Sequence, residues 1–318
     1  MTTLTGYTLG EALYEGARTQ VYRATRRRDR HPVVIKMLRT EYPSFRELLQ
    51  FRNQYTIAKN LDLPGIVQPL SLENHGNGYA MVMGDEGYIS LSQWRSSREW
   101  ELGTFLKIGI QLAGVLHGLY QNRVIHKDIK PPNILIHPTT EDVKLIDFSI
   151  SSLLPKETQE ISNPNGLEGT LAYLSPEQTG RMNRGIDYRT DFYSLGVTFY
   201  ELLTGQLPFQ SGDPMELVHC HIAQSPTLPD HIQPIPAVIF AIIRKLMAKN
   251  TEDRYQSALG LKYDLERCLQ SLNATGEISE FELGERDICD RFNIPEKLYG
   301  RETEVQTLLN SFERASSG

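Results

Sequence analysis

The chain has 318 residues, 40% of them hydrophobic and 23% charged, and a net charge of −6. That is enough for one large core or two modest ones, and the acidic balance disfavours nucleic acid as a partner. Three cysteines (Cys220, Cys268 and Cys289) lack the paired spacing of a disulfide framework or a zinc site. The first residues carry no basic stretch ahead of an apolar run, and the longest membrane-span candidate, 237–247, is short and contains Arg244. The reducing cytoplasm is therefore the expected compartment.

Taken in chain order, residues 7–83 read mostly as short strands. Val21-Tyr-Arg-Ala24 and Val33-Val-Ile-Lys-Met-Leu38 are rich in β-branched residues and flank the cluster Arg26-Arg-Arg-Asp-Arg30, which reads as a solvated turn. One helix interrupts the strands: after Pro43, the residues Phe45, Leu48, Arg52, Tyr55 and Ala58 recur at helical spacing, which predicts that they share its face. Pro64-Gly65 ends that region, and Gly76-Asn-Gly78 marks a turn before a buried strand, Tyr79-Ala-Met-Val-Met83.

Beyond Gly84 and Gly87 the pattern becomes helical. Phe105, Ile108, Leu112, Val115, Leu116 and Leu119 form the stripe of a core-facing helix. A second helix is predicted over 191–204 with Gly205 as its stop, and two more over 237–249 and 257–271. From 273 the pattern fades into mixed polar and acidic residues that read as a linker to 294.

The most informative stretch is Val124-Ile-His-Lys-Asp-Ile-Lys-Pro-Pro-Asn133, followed 14 residues later by Asp147-Phe-Ser149. Two carboxylates, a lysine and an amide stand at the spacing needed to hold a metal–nucleotide and deprotonate a hydroxyl. The run resembles the catalytic loop H-R-D-x-K-x-x-N of eukaryotic-type protein kinases, and Lys144-Leu-Ile-Asp-Phe-Ser149 resembles their D-F-G turn. The resemblance covers about residues 7–271 and implies an α+β, bilobal fold. Its β-rich N-lobe would occupy 1–83, its hinge 84–90 and its helical C-lobe 91–272.

That resemblance assigns roles residue by residue. Asp128 would be the catalytic base, and Lys130 would neutralise the moving phosphoryl group. Asn133 and Asp147 would hold Mg²⁺ (Mn²⁺ is the alternative), and Lys36 would contact the phosphates of ATP. Gly16, Val21, Met83 and the hinge at Asp85 would line the nucleotide site. His126 and Phe148 would pack beneath it. Gly169-Thr-Leu-Ala-Tyr-Leu-Ser-Pro-Glu177 resembles the substrate-facing loop of Ser/Thr kinases. By that likeness Thr170 would bond Asp128 and Lys130, Glu177 would pair with Arg254, and Asp191 would brace the catalytic-loop backbone. These features favour a protein substrate over a small metabolite; if the loop is autophosphorylated, Thr158 and Ser162 are the candidate sites.

Four departures from the pattern bear on activity. Aligning Val21 to G-x-G-x-x-G-x-V places Tyr14, Gly16 and Thr19 at the glycine positions, so only Gly16 survives. The helix glutamate that should pair with Lys36 falls on Gln54, with Glu47 two turns earlier as a substitute. Serine replaces the third residue of D-F-G, and lysine replaces the usual arginine at 127, giving a point charge without the bidentate fork. The alternative to an active Ser/Thr kinase is thus a weak or inactive fold acting as a nucleotide-binding regulatory module. Finally, Tyr299-Gly-Arg-Glu-Thr303 resembles the opening of AAA-like ATPase modules. Residues 295–318 are expected to begin such a module, with the downstream domains of the same polypeptide as partners.

Overall fold

A computed structural model describes residues 4–96, 101–153, 171–182, 184–229 and 235–288. The N-terminal part is an antiparallel sheet in the order β1-β2-β3-β5-β4, formed by β1 (Tyr7–Glu15), β2 (Thr19–Arg26), β3 (Pro32–Leu38), β4 (Pro69–His75) and β5 (Gly78–Gly84). Period-two alternation sends Val33, Ile35 and Met37 of β3 to one buried face with Ala80 and Val82 of β5. The arginine-rich turn between β2 and β3 is closed at the surface by an Arg26–Asp29 ion pair.

Helix α1 (Phe45–Asn60) is set by a capping box: Ser44 accepts from the Glu47 amide, and the Glu47 carboxylate accepts from the Ser44 amide. Its buried residues are Phe51, Gln54, Ile57 and Ala58. The expected face is corrected here: Phe45 is 81% exposed and Arg52 is exposed, while Phe51 takes the core position. Glu47 is spent on the cap at the helix start, so it does not reach Lys36.

After β5, a short strand β6 (Ile89–Ser90) leads into α2 (Leu91–Ser96) and α3 (Leu102–Gln121). By length and composition α3 could cross a membrane, a candidate the sequence reading passed over. Its apolar stripe (Phe105, Ile108, Leu112, Leu116 and Leu119) is buried in the core of the helical part. There Gly109 lets Phe199 and Leu265 approach, and Phe105 meets Phe199 edge to face at 5.0 Å. The strands β7 (Ile134–Ile136) and β8 (Val143–Leu145) join β6 in a small sheet. The remaining helices are α4 (Arg189–Thr204), α5 (Pro214–Ala223), α6 (Ala237–Leu246) and α7 (Ala258–Thr275). Gly205 and Gly276 end α4 and α7 in the left-handed conformation, at φ 83° and 78°.

The phrase Leu63-Pro-Gly-Ile-Val67 ties the two parts together. Leu145 donates its N–H to the Gly65 carbonyl at 2.8 Å, and Val67 donates back to Leu145 at 3.2 Å. A side chain at Gly65 would strike Val115 of α3, so a bare backbone is required there. Residues 277–287 pack back on α7 as part of the same compact unit, where the sequence reading had a linker.

Candidate active site

The chain runs from α3 through Val124 and Ile125 into an irregular loop that rests on Asp191. Asp191 lies in the first turn of α4, buried, and its two carboxylate oxygens accept the N–H groups of His126 (2.8 Å) and Lys127 (2.7 Å). Burial raises its pKa, against the pull of His126 and these amides. Lys127 adopts φ 68°, a conformation unfavourable for a side chain with a Cβ. Asp191 holds the loop through that point.

His126 fixes the far side. Its Nε2 faces the Ile146 carbonyl at 3.0 Å, and its Nδ1 accepts the Asp128 N–H at 3.3 Å, which together select the Nε2–H tautomer. Its ring meets Phe148 edge to face at 4.8 Å. The two rings thus join the loop at Asp128 to the turn at Asp147.

Asp128, Lys130 and Asn133 form one hydrogen-bonded unit. Lys130 Nζ lies 3.0 and 2.8 Å from the two Asp128 oxygens, and Asn133 Nδ2 donates to both the Asp128 carbonyl (2.9 Å) and Oδ2 (2.8 Å). Pro131 and Pro132 open the helical turn Pro131–Asn133 that aims the amide back at Asp128. Burial raises the Asp128 pKa, and Lys130 opposes that rise. The group is a buried carboxyl in contact with one lysine and one amide, the environment of a general base.

The second cluster comes from the sheet. Val21 of β2 pairs with Lys36 of β3, and Lys36 with Met81 of β5. Lys36 Nζ donates to Gln54 Oε1 at 3.0 Å and lies 3.1 Å from Asp147 Oδ2. Burial pushes the Asp147 carboxyl up, but Lys36 and Ser149 more than offset this and hold it at about 2. Asp147 sits at φ 69°, and its Oδ1 is buried with no hydrogen-bond partner among the described residues. A buried carboxylate oxygen so placed fits a hard divalent cation. Ser149 does not share the positive φ of Asp147, so serine is accommodated where the pattern has glycine.

Other expected nucleotide contacts are placed less simply. Gly16 lies in the β1–β2 turn with the Tyr14 ring folded against it: a Cβ there would sit 2.4 Å from the Tyr14 hydroxyl. Met83 is the penultimate residue of β5, opposite Val34. Asp85 is otherwise engaged: its N–H donates to the Pro32 carbonyl, and its carboxylate accepts from Arg23 (3.1 Å) and the Gly87 amide (3.1 Å). It therefore anchors the chain after β5 to β2 and β3.

Glu177 and Arg254 pair as a buried fork, with NH1–Oε1 at 2.7 Å and NH2–Oε2 at 2.8 Å. Burial raises the Glu177 pKa, but the Arg254 guanidinium more than offsets this, for a net fall. Two residues missing from the sequence reading complete the anchor. Thr190 donates to Glu177 at 2.7 Å, and Gln178 donates to the Lys127 carbonyl at 3.0 Å. Gln178 had a legible signal, since Ser175-Pro-Glu-Gln178 spells a capping box, and both its bonds form. Thr170, Thr158 and Ser162 lie outside the described residues.

The sequence matches the family model of the protein kinase domain over residues 7–264. It is similar to a probable serine/threonine-protein kinase of Clostridium perfringens, 32% identical across 85% of this chain and 39% of that protein. It is also similar to the serine/threonine-protein kinase PknB of Mycobacterium tuberculosis, 32% identical across 82% of this chain and 42% of that protein. The hybrid signal transduction histidine kinase G of Dictyostelium discoideum is 32% identical across 69% of this chain, which spans 9% of that protein. The chain thus spans less than half the length of these relatives.

Proposed function

The chain belongs to the protein kinase domain family, and from that premise we propose that it transfers the γ-phosphoryl group of Mg-ATP to serine or threonine hydroxyls of proteins. The observation that carries the reading is the hydrogen-bonded unit of Asp128, Lys130 and Asn133, held on the backbone by Asp191. Asp128 accepts the proton of the attacking hydroxyl as its oxygen bonds to the γ-phosphorus and ADP leaves with the bridging oxygen. Lys130, already against Asp128, balances the charge of the group in transit. Lys36, steadied by Gln54, contacts the nucleotide phosphates. Asp147 and Asn133 are the residues that would hold Mg²⁺ (or Mn²⁺), which when bound neutralises phosphate charge. Glu177 and Arg254 fix the end of the substrate-facing loop.

On this reading residues 1–83 and 91–272 act as the two lobes about a hinge at 84–90, and the protein works in the cytoplasm. Residues 295–318 begin an ATPase-like module of a larger signalling chain. The multidomain hybrid kinase among the relatives supports that context.

A second reading, a nucleotide-binding regulatory module with little transfer activity, is favoured by two observations. Lys36 has a neutral partner in Gln54, and the glycine loop carries Tyr14 over its one glycine. Incubating the protein with Mg-ATP beside an Asp128→Ala variant, and mapping phosphosites by mass spectrometry, separates the two. Phosphate on the wild type alone establishes the enzyme. ATP binding without phosphate on either protein leaves the regulatory module.

A further inference from the structure

Residues 277–287 follow α7 and lie beyond the stretch matched by the family model, yet they are fastened to the helical part at many points. Ile278, Phe281 and Leu283 pack against its core. The Gly284 N–H donates to the buried Asp264 carboxylate at 2.9 Å, which also accepts from the Tyr255 hydroxyl at 2.7 Å. Arg267 pairs with Glu285 and lies 4.3 Å from the Phe281 ring centroid.

Asp287 makes the most consequential contacts. Its carboxylate accepts the N–H of Gln256 (2.8 Å), the N–H of Ser257 (2.8 Å) and the Ser257 hydroxyl (3.0 Å). Ser257 is the N-cap of α7. Gln256 is a hub: its Oε1 accepts from Arg189 at 2.8 Å, its carbonyl from the Tyr188 hydroxyl at 2.8 Å, and its Nε2 donates to the carbonyls of Thr251, Glu252 and Arg254. Arg254 is the residue that grips Glu177, and it also donates to the Arg189 carbonyl at 3.0 Å. An unbroken chain of hydrogen bonds therefore runs from Asp287 through Gln256 to Arg254 and the end of the substrate-facing loop. Gly260 shows how closely the tail lies: a Cβ there would stand 2.6 Å from the Asp287 Cα. In a helix, alanine would otherwise be the better residue.

We propose that Asp287 is a positioning residue: by holding Gln256 it seats Arg254 on Glu177, and so sets the substrate-facing loop for transfer. This rests on the kinase reading, and the test keeps the two apart. Gly260→Ala, which displaces the tail sterically, and Asp287→Ala, which removes the acceptor, are compared with wild type and with Glu285→Gln, a surface contact of the same tail with no link to Gln256. Hydrogen exchange is followed on peptides covering 171–179, and KM is measured separately for a peptide substrate and for ATP.

Gly260→Ala and Asp287→Ala should both speed exchange at 171–179 and raise KM for the peptide about fivefold or more, with KM for ATP unchanged. Asp287→Asn, which keeps one acceptor oxygen, should fall between, and Glu285→Gln should match wild type. Unchanged exchange at 171–179 in both Gly260→Ala and Asp287→Ala overturns the proposal, as does a Glu285→Gln effect equal to that of Asp287→Ala. Faster exchange in a protein that transfers no phosphate supports the linkage and sinks the kinase reading instead.

Discussion

Replacing Glu177 by alanine offers the sharpest test of what holds residues 171–179 in place. The Arg254 side chain is 0% exposed and Glu177 1%. Arg254 keeps three carbonyl acceptors in the variant, those of Ala248, Arg189 and Lys249, so most of its N–H groups stay bonded. What it loses is the neutralising charge. Removing one partner of such a buried pair costs roughly 3–5 kcal/mol. With a urea slope of about 3 kcal/mol per molar for a domain of this size, the unfolding midpoint should fall by roughly 1–2 M.

The dependence on pH adds a second reading. The folded pKa of Glu177 is depressed, so its stabilisation is present above the unfolded value of about 4.3 and is lost as pH falls through the folded one. The gap between wild type and Glu177→Ala should therefore be full at pH 7 and narrow below pH 4. A double variant, Glu177→Met with Arg254→Met, should recover much of the loss, because a dry apolar pair avoids desolvating two charges. A midpoint shift at pH 7 smaller than about 0.3 M, or about 1 kcal/mol, in Glu177→Ala would refute the claim that this pair carries a buried, uncompensated charge when broken.

Three further outcomes follow from the site. Gln54→Leu removes the acceptor 3.0 Å from the Lys36 ammonium and should raise KM for ATP about 10-fold or more, the worth of one hydrogen bond to a charged group; an unchanged KM in steady-state assays means that Asp147 alone positions the lysine. Because burial raises the Asp128 pKa and a base acts only when ionised, kcat/KM should fall with decreasing pH along a limb centred above about 3.9. Lys130→Met should move that limb higher, and a limb that stays put would show that Lys130 does not tune the base. Asp191→Ala strands two buried N–H groups and should cost at least about 2 kcal/mol in urea titrations; a loss within error would mean that the loop holds its shape without the brace.

Much of the fold was legible because it is written in local patterns. The stripe from Phe105 to Leu119, the β-branched runs of β2 and β3, and the glycine stop at Gly205 each follow from period and propensity. The face of α1 was not. Phe45 has the right spacing to join the stripe, but it stands in the first turn, beyond the reach of the sheet, and the buried set begins at Phe51. Likewise nothing in a polar stretch such as Glu277-Ile-Ser-Glu-Phe-Glu-Leu-Gly284 announces docking. Its Ile278, Phe281 and Leu283 gain meaning only beside α7. At the site, motif spacing together with the family likeness located Lys36, Asp128, Asn133 and Asp147, and the partnership of Glu177 with Arg254, 77 residues apart, came from that likeness and not from periodicity. The engagement of Asp85 with Arg23 depends on strand register, which sequence does not print.

The brace at Asp191 reads peptide groups, not side chains. Any residue could occupy position 127 and still offer the same N–H to the same oxygen, provided that it tolerates φ 68°. The architecture therefore uncouples holding the loop from the identity of the side chain at position 127. An exchange of side chain there leaves the support beneath Asp128 as it was. The side chain at this position can thus change without rebuilding the foundation of the site.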